Sequence, residues 1–143
     1  MPQESASAAI RKKAWEALTT KVRAFQNLGE VVIAGDLNAK VGEPTTSAEN
    51  AVLGSFSRGS RTSNGRLLVE LLIRTRLANV AGFARPPASS EGQWYTRTDP
   101  RVSTKSQIDY ILVPLNQRRS HRSRFKVDYT SLDTDHHLLH ARI

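Results

Sequence analysis

The stretch VVIAGDLNAKVG, residues 31–42, decides how the rest of the chain is read. Val31, Val32, Ile33 and Ala34 form a short, largely β-branched run that ends in Gly35-Asp36, the pattern of a strand buried on both faces. Asp36 then falls at the carboxyl end of that strand. Asn38, two residues on, is either a turn residue that tolerates left-handed backbone or an amide placed to orient a water or a phosphoryl oxygen.

Upstream, Ser5 or Ser7 can cap a helix in which Ile10, Ala14, Leu18, Val22 and Phe25 recur at spacings of three and four, and Asn27 and Gly29 stop it. Downstream, residues 42–63 are rich in Gly, Pro, Ser and Thr and read as a long surface loop. Asn64-Gly65 punctuates the chain before Leu67, Leu68, Val69, Leu71 and Leu72, an apolar helical face followed by Arg74 and Arg76. Further strands are expected over 78–83, from Gln93 to Thr96, over 108–113 with Pro114 closing it, and over 136–143. Short strands alternating with two helices suggest an α/β layer in a single domain, residues 1–143.

Composition narrows the chemistry. The 143 residues include no cysteine, so disulfides, thiolate metal sites and thiol catalysis are excluded and any metal must be held by carboxylate, amide or imidazole. Lys and Arg number 21 against 13 Asp and Glu, a formal charge of +8 that favours a polyanionic partner. No apolar run is long enough to cross a bilayer and the first residues are too polar for a secretory signal, so an intracellular protein, nuclear or cytoplasmic and without a membrane partner, is expected.

Three acids sit at or near the ends of the best strands: Asp36, Asp109 in QIDYILV, and Asp135 in DTDHHLL. In α/β sheets ligands collect at strand ends, where loops bring distant side chains together. Gathering carboxylates there without a cation is costly, because like charges and desolvation both disfavour the anions. A divalent ion relieves that cost, and oxygen ligands point to Mg²⁺ or Mn²⁺ rather than zinc. His136, next to Asp135, could exchange a proton near a phosphodiester or, when charged, offset developing negative charge.

Read together and in order, VVIAGDLNAKVG, NGRLLVELL (64–72), SQIDYILV (106–113) and TDHHLL (134–139) resemble the endonuclease/exonuclease/phosphatase family. The likeness is greatest to the endonuclease domains of non-LTR retrotransposons and their craniofacial-development-type relatives, and it runs from about residue 10 to the end. It implies the C-terminal half of a four-layered α/β sandwich of the DNase I-like kind, with a mixed β-sheet and two main helices on one face. It also implies metal-dependent hydrolysis of DNA phosphodiester bonds. Asp36 resembles the residue that polarises the attacking water and a metal ligand, Asn38 its partner in orienting water and phosphate. Asp109 resembles the carboxylate that holds the imidazole of His136, His136 the group that contacts the phosphate, and Asp135 a metal-binding acid.

The chain departs from the family pattern in Leu37 where Phe is usual, in Thr134 where Ser is usual, and around Trp94-Tyr95-Thr96, where the alignment is ambiguous by a residue or two. The family's first half, with its metal-binding Glu, has no counterpart before residue 30. The expectation is therefore an incomplete copy with reduced or no activity alone, completed by a separate N-terminal half or attached to a reverse transcriptase. The alternatives are a silent nucleic-acid-binding remnant and a phosphatase of the same family.

NQRRSHRSRFK, residues 116–126, carries Arg118, Arg119, Arg122, Arg124 and Lys126 with no acid. It reads either as a solvated loop or as a contact to DNA, or RNA, backbone beside the site, sequence-independent and salt-sensitive. Trp94 could stack on bases or fill a core.

Overall fold

A computed structural model of the chain describes residues 1–120, 124–130 and 134–142. Ser7 caps α1 (Ala8–Gln26), its hydroxyl accepting from the Ile10 amide, and Asn27 ends the helix as the sequence predicts. The buried face differs from the predicted one. Trp15, Thr19 and Val22 are buried with Leu18 packed beside them, while Ile10 and Phe25 are more than half exposed. Trp15 sets that rotation, because its indole N–H donates to the buried Asn64 Oδ1 at 3.2 Å.

The expected loop over 42–63 contains a helix, α2 (Ser47–Leu53). Its start is a capping arrangement that the sequence spells as Thr46-Ser47-Ala48-Glu49. The Thr46 hydroxyl accepts from the Glu49 amide at 3.1 Å, and the Glu49 carboxylate reaches back to the Thr45 amide at 2.7 Å. Arg61 then grips the same carboxylate with both terminal nitrogens at 2.8 Å, which pulls the Glu49 pKa from 4.5 down to about 2. Two buried side chains, Val52 and Leu53, anchor these roughly two turns of helix.

The second predicted helix is α3 (Ser63–Thr75), with Leu68, Val69, Leu71 and Leu72 buried and Leu67 packed at the edge of the core. It begins earlier than the Asn-Gly pair suggests. Thr62 is the cap, so Asn64 and Gly65 lie inside the first turn and are both buried. Gly65 is there because of a close approach: a Cβ at this position would lie 1.8 Å from the Lys40 carbonyl oxygen.

The main sheet pairs β1 (Ile33–Asp36), β5 (Asp109–Pro114) and β2 (Leu77–Asn79) in the order β1-β5-β2. Two short pairs accompany it: β3 (Arg97–Thr98) with β4 (Lys105–Ser106), and β6 (Lys126–Asp128) with β7 (Leu138–His140). Every pairing is antiparallel, so the mixed sheet expected from the family likeness is not formed among the described residues. The architecture is mixed helix and antiparallel sheet.

The strand buried on both faces is β5, not β1. Tyr110 and Leu112 enter the core built with α1, α2 and α3, while Ile111 and Val113 enter a second core with Val80, Trp94, Phe125 and Val127. β1 is an edge strand, which leaves Ala34, Gly35 and Asp36 exposed and Ile33 half-buried. Other strands are shorter than predicted. β2 stops where the Asn79 side chain accepts from the Ala81 amide and turns 80–83 into a 3₁₀ helix. Residues 93–96 are not a strand, and pairing begins only at Arg97. The last strand is three residues long, with His136 bridging separately to Arg97. No helix among the described residues is long and apolar enough to cross a membrane.

Two consequences are measurable. Gly65→Ala forces backbone apart and is expected to cost about 3 kcal/mol, read as a fall in Tm of roughly 10 °C with the secondary-structure signal otherwise retained. The Glu49–Arg61 pair carries a pH dependence of known sign. Its folded pKa is depressed, so its contribution is present above the ordinary value of 4.5 and is lost as pH falls toward about 2. Glu49→Gln should therefore cost about 1–2 kcal/mol at pH 7, discounted for a partly solvated pair, and that difference should close in denaturant titrations taken from pH 5 to pH 2.

Candidate active site

Antiparallel pairing places the carboxyl end of β1 beside the amino end of β5, so that Asp36 and Asp109 are register partners. This brings two of the three predicted acids to one end of the sheet although they are 73 positions apart in the sequence. A third segment arrives through β3, whose residues 96–98 bond to 135–137: the His137 amide donates to Thr96 O at 2.7 Å and the Thr98 amide to Asp135 O at 2.9 Å. His136 is delivered between those two bonds. One ligand atom each from Asp36, Asp109 and His136 lie within 4.8 Å of one another.

Each group is held. The Asp36 carboxylate accepts from the Asn38 amide at 2.7 Å, in a turn where Asn38 has a left-handed φ of 48°. Asn38 is thus a left-handed turn residue, and its side chain lines the cleft, where Nδ2 donates to Met1 O at 3.0 Å. The Asp109 carboxylate accepts from the Thr96 hydroxyl at 2.7 Å, and the same hydroxyl oxygen accepts from the amides of Ile108 and Asp109. His136 Nδ1 lies 3.1 Å from Asp109 Oδ2. Because a carboxylate has only acceptor sites to offer, Nδ1 carries the hydrogen and Nε2 is the ring nitrogen left for other partners.

Asp135 stands slightly apart. Arg97 Nε donates to its Oδ2 at 2.7 Å, and the guanidinium holds its carboxyl below the usual range and rises in pKa in return. Its other oxygen is 3.9 Å from His136 Nε2. The group able to hold a cation is thus Asp36, Asp109 and His136, and Asp135, expected as a ligand, is balanced by Arg97 outside it. The donors fit a metal ion: two carboxylates in register, an imidazole and no sulfur, with one carboxylate exposed and the other two groups half-buried.

The cleft itself measures about 490 Å³, is open and polar, and is walled by Glu4, Asp36, Asn38, Arg97, Ile108 and His136 among others. The basic tract does not line it. Arg118 lies over the Phe83 ring at 5.7 Å and donates to Leu115 O, and Arg119, Arg124 and Lys126 are exposed elsewhere. Arg122 lies outside the described residues. Trp94 is a core residue, 8% exposed, edge-on to Phe125 at 5.0 Å with its indole N–H bonded to Ala84 O, so its ring is not free to stack on a base.

Sequence reasoning missed Thr96, Arg97 and Asn64. Thr96 is fully buried and fixes Asp109, Arg97 neutralises Asp135, and the Asn64 amide donates to Asn38 O at 2.9 Å and so fixes the turn after Asp36. The usable signal for Thr96 was a hydroxyl residue next to an aromatic pair ahead of QIDYILV; nothing local marks Arg97. No family model matches the chain, and no curated protein matches it either.

Titrating the protein with Mn²⁺ and following ring resonances of the histidines tests the cation site. His136 is expected to broaden first, and Asp36→Ala should weaken that binding by about tenfold or more. Uniform broadening of all four histidines would exclude a specific site.

Proposed function

We propose that the chain is the C-terminal part of an endonuclease-type phosphodiesterase domain that acts on DNA. The observation carrying the reading is the convergence of Asp36, Asp109 and His136, drawn from three separate segments, at an open polar cleft that Asp36 and His136 line. The ordered motifs that resemble the endonuclease/exonuclease/phosphatase family support it, as does the formal charge of +8. The unpaired edge of β1 and the exposed Val32 beside it support placing the chain within a larger two-sheet sandwich.

In this reading Asp36, oriented by the Asn38 amide, accepts the proton of an attacking water or holds that water in line with the phosphorus. The Asn38 side-chain amide donates to a phosphoryl oxygen once it leaves the Met1 carbonyl. Asp109, itself fixed by Thr96, keeps the His136 hydrogen on Nδ1, and the imidazole Nε2 faces the oxygen on which charge develops. Arg97 and Asp135 neutralise each other at the rim and keep the cleft from being repelled by the substrate's anions. Asp36, Asp109 and His136 are the residues that would hold Mg²⁺ or Mn²⁺, whose contribution when bound is to offset charge on the phosphate.

A second reading is a DNA-binding remnant without hydrolysis. It is favoured by the small number of carboxylates in the cation group, two, with Asp135 neutralised outside it.

Nicking of supercoiled plasmid in Mg²⁺ separates the two. The hydrolytic reading expects conversion to open circle, reduced by roughly 10²–10⁴-fold in Asp36→Ala and in His136→Ala at unchanged Tm. Plasmid retention without any nicking at high metal would leave only the binding reading.

A further inference from the structure

A second cleft, of about 250 Å³, opens beside the first along the same strand ends. Lys40, two residues past Asn38, forms one wall, Arg58 of the segment between α2 and α3 another, and Tyr95, Lys105 and Gln107 the third, with Tyr110 at the base. Gln107 is two residues ahead of Asp109. The lining brings together three cations and no carboxylate.

The charges are held in place rather than cancelled. Arg58 Nη1 donates to the backbone carbonyls of Ser55 and Ser57, at 2.6 and 3.1 Å, which fixes the guanidinium and leaves its charge unpaired among the described residues. Lys105 Nζ sits over the Tyr95 ring, 4.8 Å from its centroid, and its one acidic neighbour is Glu91 at 4.0 Å, a residue that is 76% exposed. The Tyr95 ring is in turn fixed by stacking on Tyr129 at 4.4 Å. Lys40 has no carboxylate within ion-pair distance among the described residues.

Three cations lining one cleft that has no carboxylate have one common complement, an anion that carries several acceptor oxygens. Phosphate has that chemistry. Its lining adjoins that of the reactive cleft along the chain: Lys40 follows Asn38 by two residues, and Gln107 directly precedes Ile108. We propose that Lys40, Arg58 and Lys105 form a second phosphate site that grips the DNA backbone next to the phosphate in the reactive cleft. This rests on the phosphodiesterase reading for its choice of polymer, and on the cleft alone for its choice of phosphate.

Fluorescence anisotropy of the full chain with a short labelled duplex, in EDTA so that nothing is cleaved, reads the site directly. The triple variant Lys40→Gln, Arg58→Gln, Lys105→Gln is expected to lose about tenfold in affinity at low salt and to flatten the slope of log K against log salt by about 1, the signature of one lost phosphate contact. A control that removes Lys13 and Lys21, exposed on α1, by substitution to Gln should change the slope far less. Equal losses in both variants, or unchanged binding in the triple variant, overturn the proposal. Displacement of the duplex by millimolar inorganic phosphate at constant ionic strength would assign the cleft to free anions and overturn the backbone assignment. Cleavage plays no part in the measurement. A protein that never nicks plasmid therefore refutes the hydrolytic reading while leaving this site standing.

Discussion

The buried amide of Asn64 is the contact on which the rest of the structure turns. It is fully enclosed, accepts from the Trp15 indole and donates to the carbonyls of Pro2 and Asn38, so every polar atom it has is used. One side chain thereby ties α1, α3, the N-terminal segment and the turn after β1 to a common point. The neighbouring Gly65 lets the Lys40 carbonyl come close enough for the turn to seat against the helix. Since Asp36 and Asn38 lie in that turn, the geometry of the reactive cleft is set from beneath by a residue that never faces it.

Charge is distributed with the same economy. Asp36 is held by a backbone amide, Asp109 by a hydroxyl and an imidazole, Asp135 by a guanidinium. Three acids near one end of a sheet would repel one another if each relied on water alone, and the different partners make their proximity tolerable. The lining of the Lys40–Arg58–Lys105 cleft, by contrast, contains no carboxylate.

The elements legible in the sequence were those with a strong local signal. Leucines at helical spacing marked α3, Ser7 and Asn27 bounded α1, and the apolar runs ending in Gly35-Asp36 and beginning at Asp109 located β1 and β5. Asp36, Asp109 and His136 were legible as a group because strand ends are where side chains meet. The parts that were not legible depend on contacts far along the chain. The rotation of α1 follows from Trp15 reaching Asn64, 49 positions away. Which apolar strand is covered on both sides depends on sheet order, and a run such as Val31–Ala34 reads alike at an edge or in the middle. Asn64-Gly65 carries the composition of a turn and serves as the first turn of a helix, because Thr62 had already taken the capping role. Only α2 was missed despite a local cue, the Thr46–Glu49 pairing.

β5 feeds two cores at once, Tyr110 and Leu112 into one and Ile111 and Val113 into the other. The strand acts as a shared keel: both hydrophobic cores draw on it, so loosening it disturbs both. Asp109 is the first residue of that keel. The position of Asp109 is therefore set by the packing of both cores.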